Sequence, residues 1–124
     1  MAGCEVCHAT TAKSERAGLP ETVLCMSCHS TVRRDAPPIR RLAAFQQEAR
    51  PIPWVRVYKL PDYVFFSHAR HVGQGRLECA ACHGPVARRD QLARERPIHM
   101  KSCVDCHKAR SATIACNACH ELGQ

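Results

Sequence analysis

The sequence predicts a small, mainly α-helical and irregular chain whose core is built from something other than side chains. Three observations carry that expectation. All ten cysteines fall in Cys-x-x-Cys-His pentapeptides, of which there are five. Aromatic residues are only 5% of the 124, and ten of the apolar residues are those same cysteines, so the large side chains that normally exclude water are scarce. No stretch has the apolar length of a transmembrane helix.

The pentapeptides are Cys4-Glu-Val-Cys7-His8, Cys25-Met-Ser-Cys28-His29, Cys79-Ala-Ala-Cys82-His83, Cys103-Val-Asp-Cys106-His107 and Cys116-Asn-Ala-Cys119-His120. On a helical turn, residues i and i+3 share a face, so both sulfurs meet one porphyrin edge. The histidine one residue further on turns its imidazole under the ring. This is the signature of c-type haem attachment, in which two thioethers hold the vinyl groups and the histidine reaches the iron. Histidine is 8 of the 124 residues; at that frequency, five Cys-x-x-Cys pairs would all be followed by it about once in a million draws.

Two other uses of Cys-x-x-Cys compete. Zinc ribbons pair such knuckles two by two, which leaves an odd fifth and gives the trailing histidine no task. Disulfides within Cys-x-x-Cys are redox-active rather than structural, and five side by side would be strange in so short a chain. Five covalently bound haem c groups are the better reading. At one haem per roughly 25 residues, the porphyrin faces form the core, and thioether plus iron ligation staples the short loops.

Each element then follows in order. Residues 1–35 form a two-haem segment, with a short helix at each motif. Residues 36–52 form a connector: after Pro37-Pro38, the apolar positions Ile39, Leu42, Ala43 and Phe45 recur at helical spacing, predicting an amphipathic helix that starts just after the prolines and ends before Pro51. Residues 53–124 form a three-haem module. It opens with Trp54-Val-Arg-Val-Tyr58 and Tyr63-Val-Phe-Phe66, two β-branched and aromatic runs around Lys59-Leu60-Pro61-Asp62, which predict a short β-hairpin. So short a hairpin needs a haem or the helix to lie against.

The formal charge of +7 invites a nucleic-acid or anionic-membrane reading, but it omits the cofactors. Each haem brings two propionates, so five shift the total by about −5 oxidised and −10 reduced, leaving the loaded protein near neutral. Arg33-Arg34, Arg40-Arg41 and Arg88-Arg89 then serve as propionate partners or solvated surface, with a docking patch as the alternative, and nucleic acid is excluded as a partner.

Beyond the five motif histidines stand His68, His71 and His99. They are candidate distal ligands beside three C-terminal motifs. His68 and His71, at i and i+3, are too close to serve one iron but able to serve two haems.

From Tyr63 to His120 the chain resembles the three-haem members of the class III cytochromes c, the cytochrome c7 type. The residues that carry this are Phe66-Ser-His68-Ala-Arg-His71, the motif at 79–83, His99-Met-Lys-Ser before the motif at 103–107, and the motif at 116–120. The resemblance implies that His68 pairs with His83, His71 with His107, and His99 with His120. The whole chain is similar to a bacterial five-haem group of that superfamily, which shares Cys-Met-Ser-Cys-His (25–29), Ile-Pro-Trp-Val-Arg-Val-Tyr (52–58), Phe-Ser-His-x-x-His (66–71) and Cys-His-Gly-Pro-Val (82–86). There, a further Phe-x-His-x-x-His and a signal or membrane anchor precede the first motif.

This sequence departs at that point, and the expectation is a truncated N-terminus whose missing segment supplies two histidines and an export signal. No histidine is left for the sixth position at His8 and His29. Met26 lies inside a motif, Met100 adjoins His99, Met1 would be lost or flexible, and Lys13 is a weak candidate. A partner subunit's ligand or an open iron are the other accounts. The function expected is electron transfer in a respiratory chain, in the periplasm or at the extracytoplasmic membrane face, with redox proteins or a quinol-oxidising membrane complex as partners and membrane association through the missing segment. The rivals are a multihaem oxidoreductase using an open iron, and a subunit of a larger membrane redox complex or wire.

Overall fold

A computed structural model describes residues 3–121; Met1, weighed above as a ligand, lies outside them. In chain order the helices are α1 (Cys4–Cys7), α2 (Thr22–His29), α3 (Pro37–Gln47), a π-helical turn at Ala69–Gln74, α4 (Cys79–His83), a 3₁₀ turn at Val86–Arg88, α5 (Met100–Ala109) and a 3₁₀ turn at Cys116–Ala118. Four motifs therefore sit on α-helical turns and the fifth on a tighter one. In the first and last, the amide of the histidine closes the turn onto the first cysteine's carbonyl, His8 to Cys4 at 2.9 Å and His120 to Cys116 at 2.9 Å. Among the described residues, no helix is long and apolar enough to cross a membrane.

Side chains do not close a core. No hydrophobic or polar side chain among the described residues is buried, and Trp54, Val55, Tyr63, Phe65 and Met100 are at least half exposed. The accessible surface is 10197 Å², about one and a half times the roughly 6,600 Å² expected of a folded chain of this mass. Among the named elements, α2 and α3 pack closely on each other.

The connector helix α3 forms where its periodicity places it, with Pro37 and Pro38 as its first two residues, where a missing N–H costs nothing. It packs against α2. Its end is a Schellman turn: Arg50 N–H donates to Phe45 O at 3.0 Å, Ala49 N–H donates to Gln46 O at 3.1 Å, and Ala49 takes φ +50°. The Arg50 guanidinium covers the Phe45 ring at 5.2 Å, supplying the side-chain contact that accompanies this motif.

The expected hairpin does not form. Residues 54–58 and 63–66 do not pair with each other; Val64 makes an isolated antiparallel bridge with His120, and Phe65 N–H donates to Cys119 O at 2.8 Å. A lone two-stranded ribbon is marginal, and here the backbone of the second run is taken by the fifth motif. The first run is fixed through Tyr58, whose hydroxyl accepts the amides of Glu95 (3.0 Å) and Arg96 (3.4 Å).

The basic runs are solvated. Arg34 and Arg40 both approach Asp35, at 3.5 and 3.8 Å, with all three side chains exposed. Arg89 pairs with Glu95, whose carboxyl it holds below the usual range through their hydrogen bond.

Ala49 occupies the left-handed region at a position that glycine normally fills. Ala49→Gly is expected to raise the urea midpoint, with a gain of about 1 kcal/mol or less once glycine's extra chain entropy is subtracted.

Candidate functional site

The functional side chains are eight histidines and ten thiols. All ten cysteines are free and at least partly accessible. The thiols of different motifs approach one another: burial and then the neighbouring Cys7 raise the Cys25 pKa, burial and then Cys4 raise that of Cys79, and burial followed by Cys106 and Cys103 raise that of Cys82. The first motif thus lies between the second and the third, and the third also borders the fourth. No group of three or more His, Cys, Asp or Glu among the described residues converges as a metal-ion cage, which is what a zinc knuckle would present.

The imidazoles are oriented by backbone carbonyls. Nδ1 of His8 lies 2.8 Å from Gly18 O, that of His29 3.0 Å from Val32 O, that of His107 2.5 Å from Thr113 O and that of His120 3.3 Å from Tyr63 O. Outside the motifs, Nδ1 of His68 lies 3.0 Å from Glu15 O and that of His71 2.8 Å from Ser67 O. A carbonyl accepts only, so each ring donates from Nδ1, and in the neutral ring Nε2 is then the free nitrogen. That tautomer is the one a metal-ligating imidazole needs.

Two pairs of rings face each other. His68 and His83 have centroids 6.4 Å apart with planes 5° apart, and His71 and His107 are 6.0 Å apart at 42°. Two imidazoles that each reach a metal at about 2.0 Å, through a nitrogen about 1.1 Å from the ring centre, have centroids roughly 6 Å apart. The spacing therefore fits one iron between each pair. Phe66 sits against both rings that lie outside the motifs, edge-on to His68 at 4.9 Å and stacked on His71 at 4.5 Å.

His68 and His71 come from one turn, as their spacing required. The turn is π-helical, with Gly75 N–H donating to Arg70 O at 2.9 Å, and the loop at residues 12–15 docks on it. His68 N–H donates to Glu15 O at 3.1 Å and Ala69 N–H to Ser14 O at 2.9 Å. A Cβ on Gly73 would meet Ala12 O at 2.3 Å, so only glycine allows that approach.

His99 stands apart. It is exposed and caps α5: Ser102 N–H donates to its Nδ1 at 3.2 Å, and His99 N–H donates to Ser102 Oγ at 3.1 Å. An imidazole that ligates through Nε2 keeps its proton on Nδ1, so cap and ligand use that atom in opposite senses. No ring contact joins His99 to His120 among the described residues; His120 lies beside Tyr63 at 6.0 Å. Lys13 is exposed, in a turn closed by its own amide onto Thr10 O.

Among the motif histidines, His83 has its own surroundings. Burial, followed by the neighbouring His68 and His8, pushes its imidazole below the ordinary value. Tyr58 meets it edge-on at 4.8 Å. Nothing in the spacing of the run 54–58 pointed to that contact, because it depends on the loop 84–96 folding back over Tyr58.

Residues 64–121 match the family model of cytochrome c7 and related cytochrome c. Across 95% of its length, the chain is 29% identical over 144 residues to the multiheme cytochrome c subunit of the menaquinone reductase of Nitratidesulfovibrio vulgaris, covering 69% of that protein. Residues 64–121 are thus of the cytochrome c7 type, and the chain as a whole is similar to a multihaem c-type cytochrome. Its cofactor is covalently bound haem c, and the absence of a side-chain core, the facing imidazoles and the free thiols all fit that group. The matched segment takes in α4, α5, both facing imidazole pairs and the last motif.

In the loaded cytochrome, Gly73→Ala is expected to push Ala12 off the π-helical turn and expose the amides of His68 and Ala69. Hydrogen exchange at those two amides should accelerate at least about tenfold, while amides within α3 keep their rates.

Proposed function

We propose that this cytochrome carries five haem c groups and transfers electrons outside the cytoplasm, as part of a respiratory chain that exchanges electrons with a quinol-oxidising membrane complex. The observation that carries the reading is the coincidence of five attachment motifs with imidazoles that face one another at 6.4 and 6.0 Å. Each bound haem supplies a one-electron couple, and the chain supplies its attachment, axial ligands and enclosure.

The attaching thiols are Cys4 and Cys7, Cys25 and Cys28, Cys79 and Cys82, Cys103 and Cys106, and Cys116 and Cys119. His8, His29, His83, His107 and His120 are the proximal ligands. His68 serves opposite His83 and His71 opposite His107, supported by the ring separations above; His99 serves opposite His120, which requires it to give up its contact with Ser102 N–H. Paired imidazoles favour low potentials relative to His/Met ligation, and the high exposure of the chain acts in the same direction. A quinone-linked redox complex as partner is supported by the relative, whose name places it in a menaquinone reductase; that name carries the direction of quinone reduction rather than quinol oxidation.

A second reading has one observation in its favour. With five of the eight histidines proximal, the other three complete at most three pairs, which leaves the positions opposite His8 and His29 without a histidine from residues 1–124. Those irons would then take a ligand from a segment preceding residue 1 or from a neighbouring subunit, or, in the second reading, hold an open site for oxidoreductase chemistry on a small nitrogen compound.

The loaded chain is expected to contain five haems per polypeptide by pyridine haemochrome assay, and its apoprotein should lack cooperative thermal unfolding. Carbon monoxide added to the reduced chain of residues 1–124 should bind at no more than two sites, those of His8 and His29. Binding at a third site would remove the histidine pairing proposed for the c7-like module, and turnover of nitrite or hydroxylamine would favour the enzymatic reading.

A further inference from the structure

We propose that the haem site at His83 has the most positive potential in the array, so that an added electron occupies it first, and that Tyr58 is the positioning residue responsible. This rests on the reading that all five motifs carry haem. Four motif histidines, His8, His29, His107 and His120, have Nδ1 between 2.5 and 3.3 Å from a backbone carbonyl. A proton donated from Nδ1 makes the imidazole more electron-rich, which stabilises ferric iron and lowers the potential. His83 has no such acceptor among the described residues.

What lies against His83 instead is a ring. Tyr58 meets it edge to face, with centroids 4.8 Å apart and planes at 87°. Tyr58 is itself locked: its hydroxyl accepts from Glu95 N–H at 3.0 Å and Arg96 N–H at 3.4 Å, and the Arg94 guanidinium lies 5.8 Å over its ring. On the next residue along the chain, the Glu95 side chain closes over Gly84, which is the one buried residue among those described. The loop from Gly84 to Arg96 thus wraps the His83 side of the site, with Tyr58 as its wedge. Enclosure disfavours the additional charge of the ferric form, and so raises the potential in the same direction as the missing acceptor.

Position gives the difference a use. His83 faces His68, and the same turn presents His71 to His107. The third motif's thiols also neighbour those of the first and the fourth. The most positive couple would then lie between the two-haem segment and the rest of the module, as a store in the middle of the array rather than an exit at its end.

The test uses the fully loaded protein, reduced stepwise with sodium dithionite and followed by nuclear magnetic resonance of the haem methyl groups. The haem at His83 is identified by nuclear Overhauser contacts to the ring at position 58. It should take the first electron, with at least about a tenfold preference over the next site, or about 59 mV for a one-electron couple. Tyr58→Ala, which admits water to His83, should remove that preference and leave the order of the other four unchanged. Tyr58→Phe retains the ring and should retain the preference. First reduction at another haem in the wild type would overturn the proposal. So would a Tyr58→Ala protein in which all five shift alike, or a Tyr58→Phe protein that loses as much as Tyr58→Ala. If Tyr58→Ala does not load, the wild type and Tyr58→Phe decide between the outcomes. A haem count below five counts against the preceding reading, and the order of reduction counts against this one.

Discussion

Attachment of flat apolar groups through paired thiols and an adjacent imidazole is the constraint on which everything else in this chain depends. A polypeptide of 124 residues with six aromatic side chains cannot exclude water from a conventional interior. The described residues accordingly leave a surface of 10197 Å² and no buried side chain beyond glycine. The short helices are not packing elements in the usual sense; they are the turns that set two sulfurs on one face. Only α3, which carries no motif, is built on amphipathic periodicity, and it rests on α2.

The backbone's unpaired carbonyls are put to a second use. In a chain with little sheet and few long helices, many carbonyl oxygens have no ladder partner. Here Gly18, Val32, Thr113, Tyr63, Ser67 and Glu15 each turn theirs toward a histidine Nδ1. Irregular structure satisfies its own polar groups by fixing tautomers. That is why loops of a few residues after a motif, such as 9–18 or 108–113, have a conformation that serves the preceding imidazole.

How much of this was legible in the sequence depended on range. The motifs are local, so their identity and the covalent cofactor followed from spacing, while the family came from resemblance carried by short runs such as 66–71 and 82–86. α3 was legible because prolines at its start and a helical repeat within it are local as well, and only its first residue differed from expectation. The hairpin misled because β propensity in 54–58 and 63–66 says nothing about the partner, and the fifth motif competes for Val64 and Phe65. Tyr58 against His83, and Ser14 and Glu15 against the turn of His68, join residues 25 to 55 positions apart, and no periodicity reports such contacts. The pairing of His68 and His71 with particular motifs came from resemblance, and the ring separations supply it with a physical argument; for His99 the capping contact gives no such support.

The docking of residues 12–15 on the turn at 68–74 bears on how the molecule is assembled. A chain delivered from its N-terminus presents the first two motifs long before the residues that hold the loop between them have appeared. His68 is oriented by Glu15, and Glu15 has nothing to hold until His68 arrives. A break drawn after residue 35, natural when reading along the chain, is therefore bridged by backbone hydrogen bonds: the loop at 12–15 belongs in space with the turn at 68–74.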